Sequence, residues 1–134
     1  MPKTARGLNY VANDLRPPWR TSGLPLVFNH GIGTNHGVWS EWVPIVAARH
    51  PMVRFDLRGF GASPVPPVDH RWSMDELIDD LLEVATTTGS GKVHVVGESI
   101  GGTIALAAAL RAPERFASVA ISNASHRGPR ITTI

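Results

Sequence analysis

The 134-residue sequence contains no cysteine, which excludes a disulfide framework, thiolate chemistry and any cysteine-held metal. It also lacks an apolar run approaching the ~20 residues that cross a bilayer. Its first ten residues, MPKTARGLNY, lack the apolar stretch of a signal peptide. An excess of one charge is missing too: thirteen Lys and Arg stand against eleven Asp and Glu, a net +2. The basic residues are scattered, whereas a nucleic-acid or anionic-membrane footprint clusters them, so neither partner is expected. The histidines at 30, 36, 50, 70, 94 and 126 show no metal-ligand spacing, and no metal or cofactor is expected. These absences leave a soluble, cytoplasmic protein as the expectation. At 43% apolar residues the chain can bury a core, and its length suits one domain.

What is present is alternation. Gly7 to Val11 reads as a short strand. Leu24 to Asn29 (LPLVFN) is a compact apolar run, expected to be a buried strand. Trp39, Trp42, Val43, Val46 and Ala47 recur at helical spacing and predict a helix over 38–49. Met52 to Phe55 is another strand, and Pro64 to Pro67 a surface loop. Ser73-x-x-Glu76 matches a capping box that opens a helix with Leu77, Ile78, Leu81, Leu82 and Ala85 on one face. Strands follow over 93–96 and 116–121, with an alanine-rich helix over 100–110 between them. Alternating strands and helices predict an α/β fold with a mostly parallel sheet flanked by helices.

Between the fourth strand and the alanine-rich helix lies Gly97-Glu98-Ser99-Ile100-Gly101, a G-x-S-x-G in the strand–turn–helix context of a nucleophile elbow. Such a turn holds its serine in strained backbone geometry and projects the hydroxyl above the strand's carboxyl end. A Cβ at Gly97 or Gly101 would collide with neighbouring backbone, and Gly102 would let the helix approach the sheet. The N–H of Ile100, at the helix start, is placed to stabilise an oxyanion. A second donor is expected from His30-Gly31-Ile32-Gly33, directly after the Leu24–Asn29 strand, with the Ile32 N–H as the candidate. His30 and Gly33 support that loop, and Glu98 supports the elbow. This loop is neither a phosphate loop nor a dinucleotide fingerprint, because a G-K-[ST] ending is absent and His36 stands at the last glycine position. Asp56, in Asp56-Leu57-Arg58-Gly59-Phe60-Gly61-Ala62-Ser63, is available as an acid, but is expected to hold a turn with Arg58. His94, in a strand, is expected to be a satisfied core residue.

Together the His30–Gly33 loop, Trp39, the Asp56–Ser63 motif, the Gly97–Gly102 elbow and Ala112-Pro113-Glu114-Arg115 resemble the N-terminal half of the α/β-hydrolase superfamily, over about residues 8–125. Within it the sequence is similar to 3-oxoadipate enol-lactonases and carboxylesterases, although Glu98 stands where their elbow more often carries an apolar residue. The resemblance implies acyl chemistry on a small ester or lactone, with Ser99 as nucleophile. It also implies the chain order nucleophile, acid, histidine. Downstream of Ser99 the sequence offers only Glu114 as an acid and His126 as a histidine; Asn123 stands where some relatives place the acid. The triad acid and histidine are therefore expected to be absent from this chain. The chain reads as the N-terminal part of a single core domain, cut before the cap and last strands, and completed by a C-terminal continuation or a second chain. Two other readings stay open: a non-catalytic binding or assembly module, and a cofactor-free oxygenase or perhydrolase on the same scaffold.

Overall fold

The computed structural model describes residues 2–125 of the chain. Five strands, β1 (Tyr10–Asn13), β2 (Leu26–Asn29), β3 (Met52–Phe55), β4 (Val93–Glu98) and β5 (Phe116–Ser122), form one sheet in the order β1-β3-β2-β4-β5. β3, β2, β4 and β5 are parallel; β1 pairs antiparallel with β3, Tyr10 opposite Phe55. The α/β class and the mostly parallel sheet are thus as expected. The four parallel strands end on one edge, and the loops that follow them collect there.

Alternation along each strand feeds two cores. Val27, Val53, Phe55, Val93 and Val95 face α2 (Met74–Thr86) and α3 (Ile100–Arg111), which supply Ile78, Leu81, Val84, Ile104 and Ala108. On the other face Phe28 and Met52 meet Trp39 and Ala47. β5 is the edge strand, and beyond Phe116 it is largely exposed. Among the described residues no helix is long and apolar enough to cross a membrane.

Three local expectations are corrected. Residues 38–49 do not form one helix: a 3-10 turn spans His36–Trp42, and α1 is a single turn, Val43–Val46. Pro44 is the reason. It has no N–H to give the Ser40 carbonyl and its ring would crowd that group, so the Val43 N–H takes the carbonyl instead. The first strand begins at Tyr10, not Gly7, because residues 4–8 form a turn in which the Gly7 N–H donates to the Thr4 carbonyl (2.9 Å). His94 is not a core residue: it is half-buried on the sheet face beside β5, with Nδ1 2.7 Å from Ser118 Oγ.

Candidate active site

Two serines of identical chemistry begin helices here, and they behave differently. Ser73 precedes α2 with extended backbone (φ −137°, ψ 150°), and its hydroxyl accepts the Glu76 N–H at 3.2 Å, an ordinary N-cap. Its capping box is half made, since Glu76 directs Oε2 to His70 Nε2 (2.7 Å). Ser99 precedes α3 with φ 54°, ψ −127°, and its hydroxyl caps nothing. That conformation costs a non-glycine residue of order 1–3 kcal/mol, and it withdraws the hydroxyl from the helix it would otherwise stabilise.

The strain is held by neighbouring backbone. The Ser99 N–H donates to the Ser122 carbonyl on β5 (2.9 Å), and the Ser99 carbonyl accepts from Gly102 and Thr103 (2.9 and 3.2 Å). A Cβ on Gly97 would lie 2.5 Å from the Gly101 carbonyl oxygen and 2.6 Å from Gly102 Cα. A Cβ on Gly101 would lie 2.5 Å from the His30 carbonyl oxygen. Gly102 approaches Ala124 and the Gly97 carbonyl, and Gly31 faces the Ser99 Cβ and the Glu98 carboxylate. β4, the start of α3 and the loop after β2 therefore meet at separations only glycine allows. Asn29, buried at the end of β2, adds a hydrogen bond from Nδ2 to the Gly101 carbonyl (3.1 Å).

Ser99 opens into a cavity of about 160 Å³ lined by Ile32, Ile100, Thr103, Asn123 and Ser125. The Ile100 N–H, first in α3, has no acceptor within the helix. Ile32 is exposed in the loop after β2, and Gly33 follows it at φ 80°. Ile32 and Ile100, the two residues expected to offer oxyanion N–H groups, thus share this cavity with Ser99. Among the described residues no histidine or carboxylate lines it. Glu98 lines a different groove, with Trp39 and Trp42. Glu114 lies in the 3-10 turn Pro113–Arg115, beyond the far end of twelve-residue α3, about 18 Å along the axis at 1.5 Å per residue. His126 lies outside the described residues. Among those residues no group of three metal-ligating side chains comes together.

Thr103, Asn123 and Ser125 are the lining residues that sequence reasoning passed over or discounted. Thr103 stands one helical turn after Ser99, so its place on the same face was legible from spacing; Oγ1 donates to the Ser125 carbonyl (2.9 Å). Asn123 follows β5 with φ 51°, a left-handed conformation that asparagine tolerates.

His30 is structural. It is fully buried; Nε2 accepts the Leu57 N–H (2.9 Å), so the neutral ring carries its proton on Nδ1, 2.7 Å from the Gly31 carbonyl. The ring thereby pins the loop after β2 to the loop after β3. Burial pushes its pKa below the ordinary histidine value, against opposing contributions from the Gly31 carbonyl and Asp56. An unfolded histidine titrates near pH 6.5, so His30's contribution to stability is complete above about that pH. It is lost as pH falls from there through the lowered folded value. Urea midpoints measured from pH 8 to pH 5 should drop toward acid less steeply in His30→Asn than in the parent; equal slopes would refute this.

Asp56 is likewise a fastener rather than a triad acid. One oxygen accepts from the His36 N–H and lies 2.8 Å from His36 Nδ1; the other accepts from Asn9 Nδ2 (2.8 Å) and the Ala62 N–H (2.9 Å). Burial pushes its carboxyl up, but these hydrogen bonds outweigh burial and hold it below the usual carboxylate value. Arg58 joins Asp80 on α2 instead, through Nε (2.9 Å) and Nη2 (2.7 Å), so the expected Asp56–Arg58 turn is two separate clamps.

Comparison with known proteins agrees with this geometry. The family model described as alpha/beta hydrolase fold matches residues 25–132. The putative carbamate hydrolase RutD of Azorhizobium caulinodans is 35% identical over 102 residues, which is 76% of this chain and 38% of that protein. 3-Oxoadipate enol-lactonase 1 of Acinetobacter baylyi is 30% identical over 100 residues, 75% of this chain and 36% of the relative. The crystal structure of the enol-lactonase from Burkholderia xenovorans LB400 superimposes with a TM-score of 0.79 at 25% identity, covering 88% of this chain and 44% of that one. The chain thus spans about two-fifths of the length of the proteins it matches.

Proposed function

The chain belongs to the alpha/beta hydrolase fold family, and on that premise we propose that it carries the nucleophile and oxyanion side of a hydrolase for a small carboxylic ester or lactone. The observation that carries this is the backbone of Ser99, held at φ 54° with its hydroxyl withdrawn from helix capping and opening into a cavity. The similarity to an enol-lactonase supports the class of bond.

In this reading Ser99 Oγ attacks the carbonyl carbon. The N–H groups of Ile100 and Ile32 hold the oxyanion, at the positive end of α3. The serine proton passes to a histidine and from it to the leaving alkoxide as the C–O bond breaks, giving an acyl-serine and an alcohol. Water, activated by the same histidine, then cleaves the acyl-serine to the acid and restores the hydroxyl. The histidine and its acid come from beyond residue 125 or from a second chain, because neither lines the cavity among the described residues. In a lactone the alcohol and acid are two ends of one product.

The test is a rapid-mixing assay with p-nitrophenyl acetate on the protein with its activating histidine present. The expected result is a burst of p-nitrophenol approaching one equivalent per chain, with an acetyl group on Ser99 by mass spectrometry. Linear release with no acylated serine would overturn the reading. The exposure of β5 favours a second reading, an assembly module; that reading requires a self-associating chain in sedimentation and an unacylated Ser99.

A further inference from the structure

Beside the Ser99 cavity lies a second and larger one, of about 280 Å³, and the two share Ile32 and Ile100 in their walls. Its remaining walls include Phe60, Trp72, Leu77 and Ile104. Ile100 and Ile104 are one helical turn apart, so α3 runs as a continuous apolar floor from the elbow into this chamber. The aromatic walls are braced. Phe60 meets the buried His30 ring edge-on at 5.8 Å, and Trp72 meets His70 edge-on at 5.0 Å while His70 is tied to Glu76. Arg58 also borders the chamber, but its guanidinium is bound to Asp80 and lies 3.5 Å from Glu76, with its charge already matched.

We propose that this chamber is the specificity pocket of the site and receives an uncharged apolar arm of the substrate, an aryl or branched aliphatic group joined by a short linker to the carbonyl at Ser99. The inference rests on the reading of Ser99 as the nucleophile for the position of the carbonyl, and on the chamber alone for the chemistry of the arm. Size supports an aryl group: an apolar cavity of about 150 Å³ is enough to bind benzene, so this one holds a ring and a linker. Chemistry excludes a charged arm. A carboxylate would be desolvated among carbon atoms, and Arg58 is already paired by Asp80.

The test uses ketones, which resemble the ester but cannot be hydrolysed, and reads isoleucine methyl groups by NMR in the full chain. 4-Phenyl-2-butanone should shift the methyls of Ile32, Ile100 and Ile104 saturably and leave those of Ile45 and Ile121 in place. Acetone, and the phenyl ketone bearing a ring carboxylate, should each bind about tenfold more weakly or less. Trp72→Ala, at a half-exposed position, should weaken the phenyl ketone by about tenfold, the scale of one aromatic contact, and leave acetone unchanged. The inference is overturned by shifts at Ile45 or Ile121 alone, by no shifts, by equal binding of the carboxylated ketone, or by indifference to Trp72→Ala. Ketone binding needs no chemistry, so an unreactive Ser99 would refute the nucleophile and leave these shifts unaltered. A reactive Ser99 without the shifts would refute the chamber alone.

Discussion

Ser99→Ala is expected to lower ester hydrolysis by about 10⁵- to 10⁶-fold in the protein with its acid and histidine present, the scale seen when a serine nucleophile is removed from an intact triad. The residue left would be the oxyanion site and substrate binding, which still accelerate the reaction over water. The substitution should leave the fold intact, because the Ser99 hydroxyl caps no helix and the hydrogen bonds that hold the turn come from its backbone. Ser99→Gly should abolish activity equally while raising stability by about 1 kcal/mol, because glycine adopts φ 54° without strain. That pairing separates nucleophile from structural turn: a serine kept only for the turn would leave the rate unaffected in both the alanine and the glycine variant. A Ser99→Ala rate within tenfold of the parent would refute the assignment.

Asp56→Ala should destabilise the protein by about 3–5 kcal/mol, because it leaves several donors without their acceptor, at about 1–3 kcal/mol for each that stays buried and unsatisfied. Four donors converge on this carboxylate from three segments: Asn9 near β1, His36 after β2, and Ala62 after β3. Asn9 is fully buried and its Oδ1 already lacks a partner among the described residues, so losing Asp56 removes the one hydrogen bond of its side chain there. Against the 5–15 kcal/mol that holds a small domain, this is a large share. Asp56→Asn should cost less but still more than about 1 kcal/mol, because one carboxylate oxygen becomes an NH₂ facing donors. Urea unfolding followed by far-ultraviolet circular dichroism gives both values. A loss below about 1 kcal/mol for Asp56→Ala would show that the network contributes little beyond hydration of its parts.

The parts of this molecule that were legible in the sequence are those where one residue's stereochemistry dictates the local backbone. Gly97 and Gly101 were readable because no side chain fits where α3 meets β2 and β4. Ser73 was readable because a hydroxyl three residues before Glu76 has one efficient use. The 38–49 segment was misread because Trp39, Trp42 and Val46 do line one side at helical spacing, yet Pro44 breaks the hydrogen-bond ladder that spacing presumes. His94 was misplaced because a strand between apolar neighbours looks buried on both faces, and here the face beside β5 carries no helix. The apolar chamber was not legible at all: Ile32, Phe60, Trp72, Leu77 and Ile104 come from four separate segments, and only the fold brings them together. The Asp56 clamp was half legible, since an aspartate before R-G-x-G-x-S announces a tight turn but not the reach of that carboxylate to Asn9 and His36.

The central claim is that Ser99 is a nucleophile and not merely a serine in a turn. The most direct measurement is covalent: treat the protein, with its activating histidine present, with a fluorophosphonate ester and locate the adduct by tandem mass spectrometry. The account predicts a single phosphonylated residue, Ser99, with fluoride released in equal amount and no adduct in Ser99→Ala. An adduct on any other residue, an undiminished adduct in Ser99→Ala, or no adduct would contradict it.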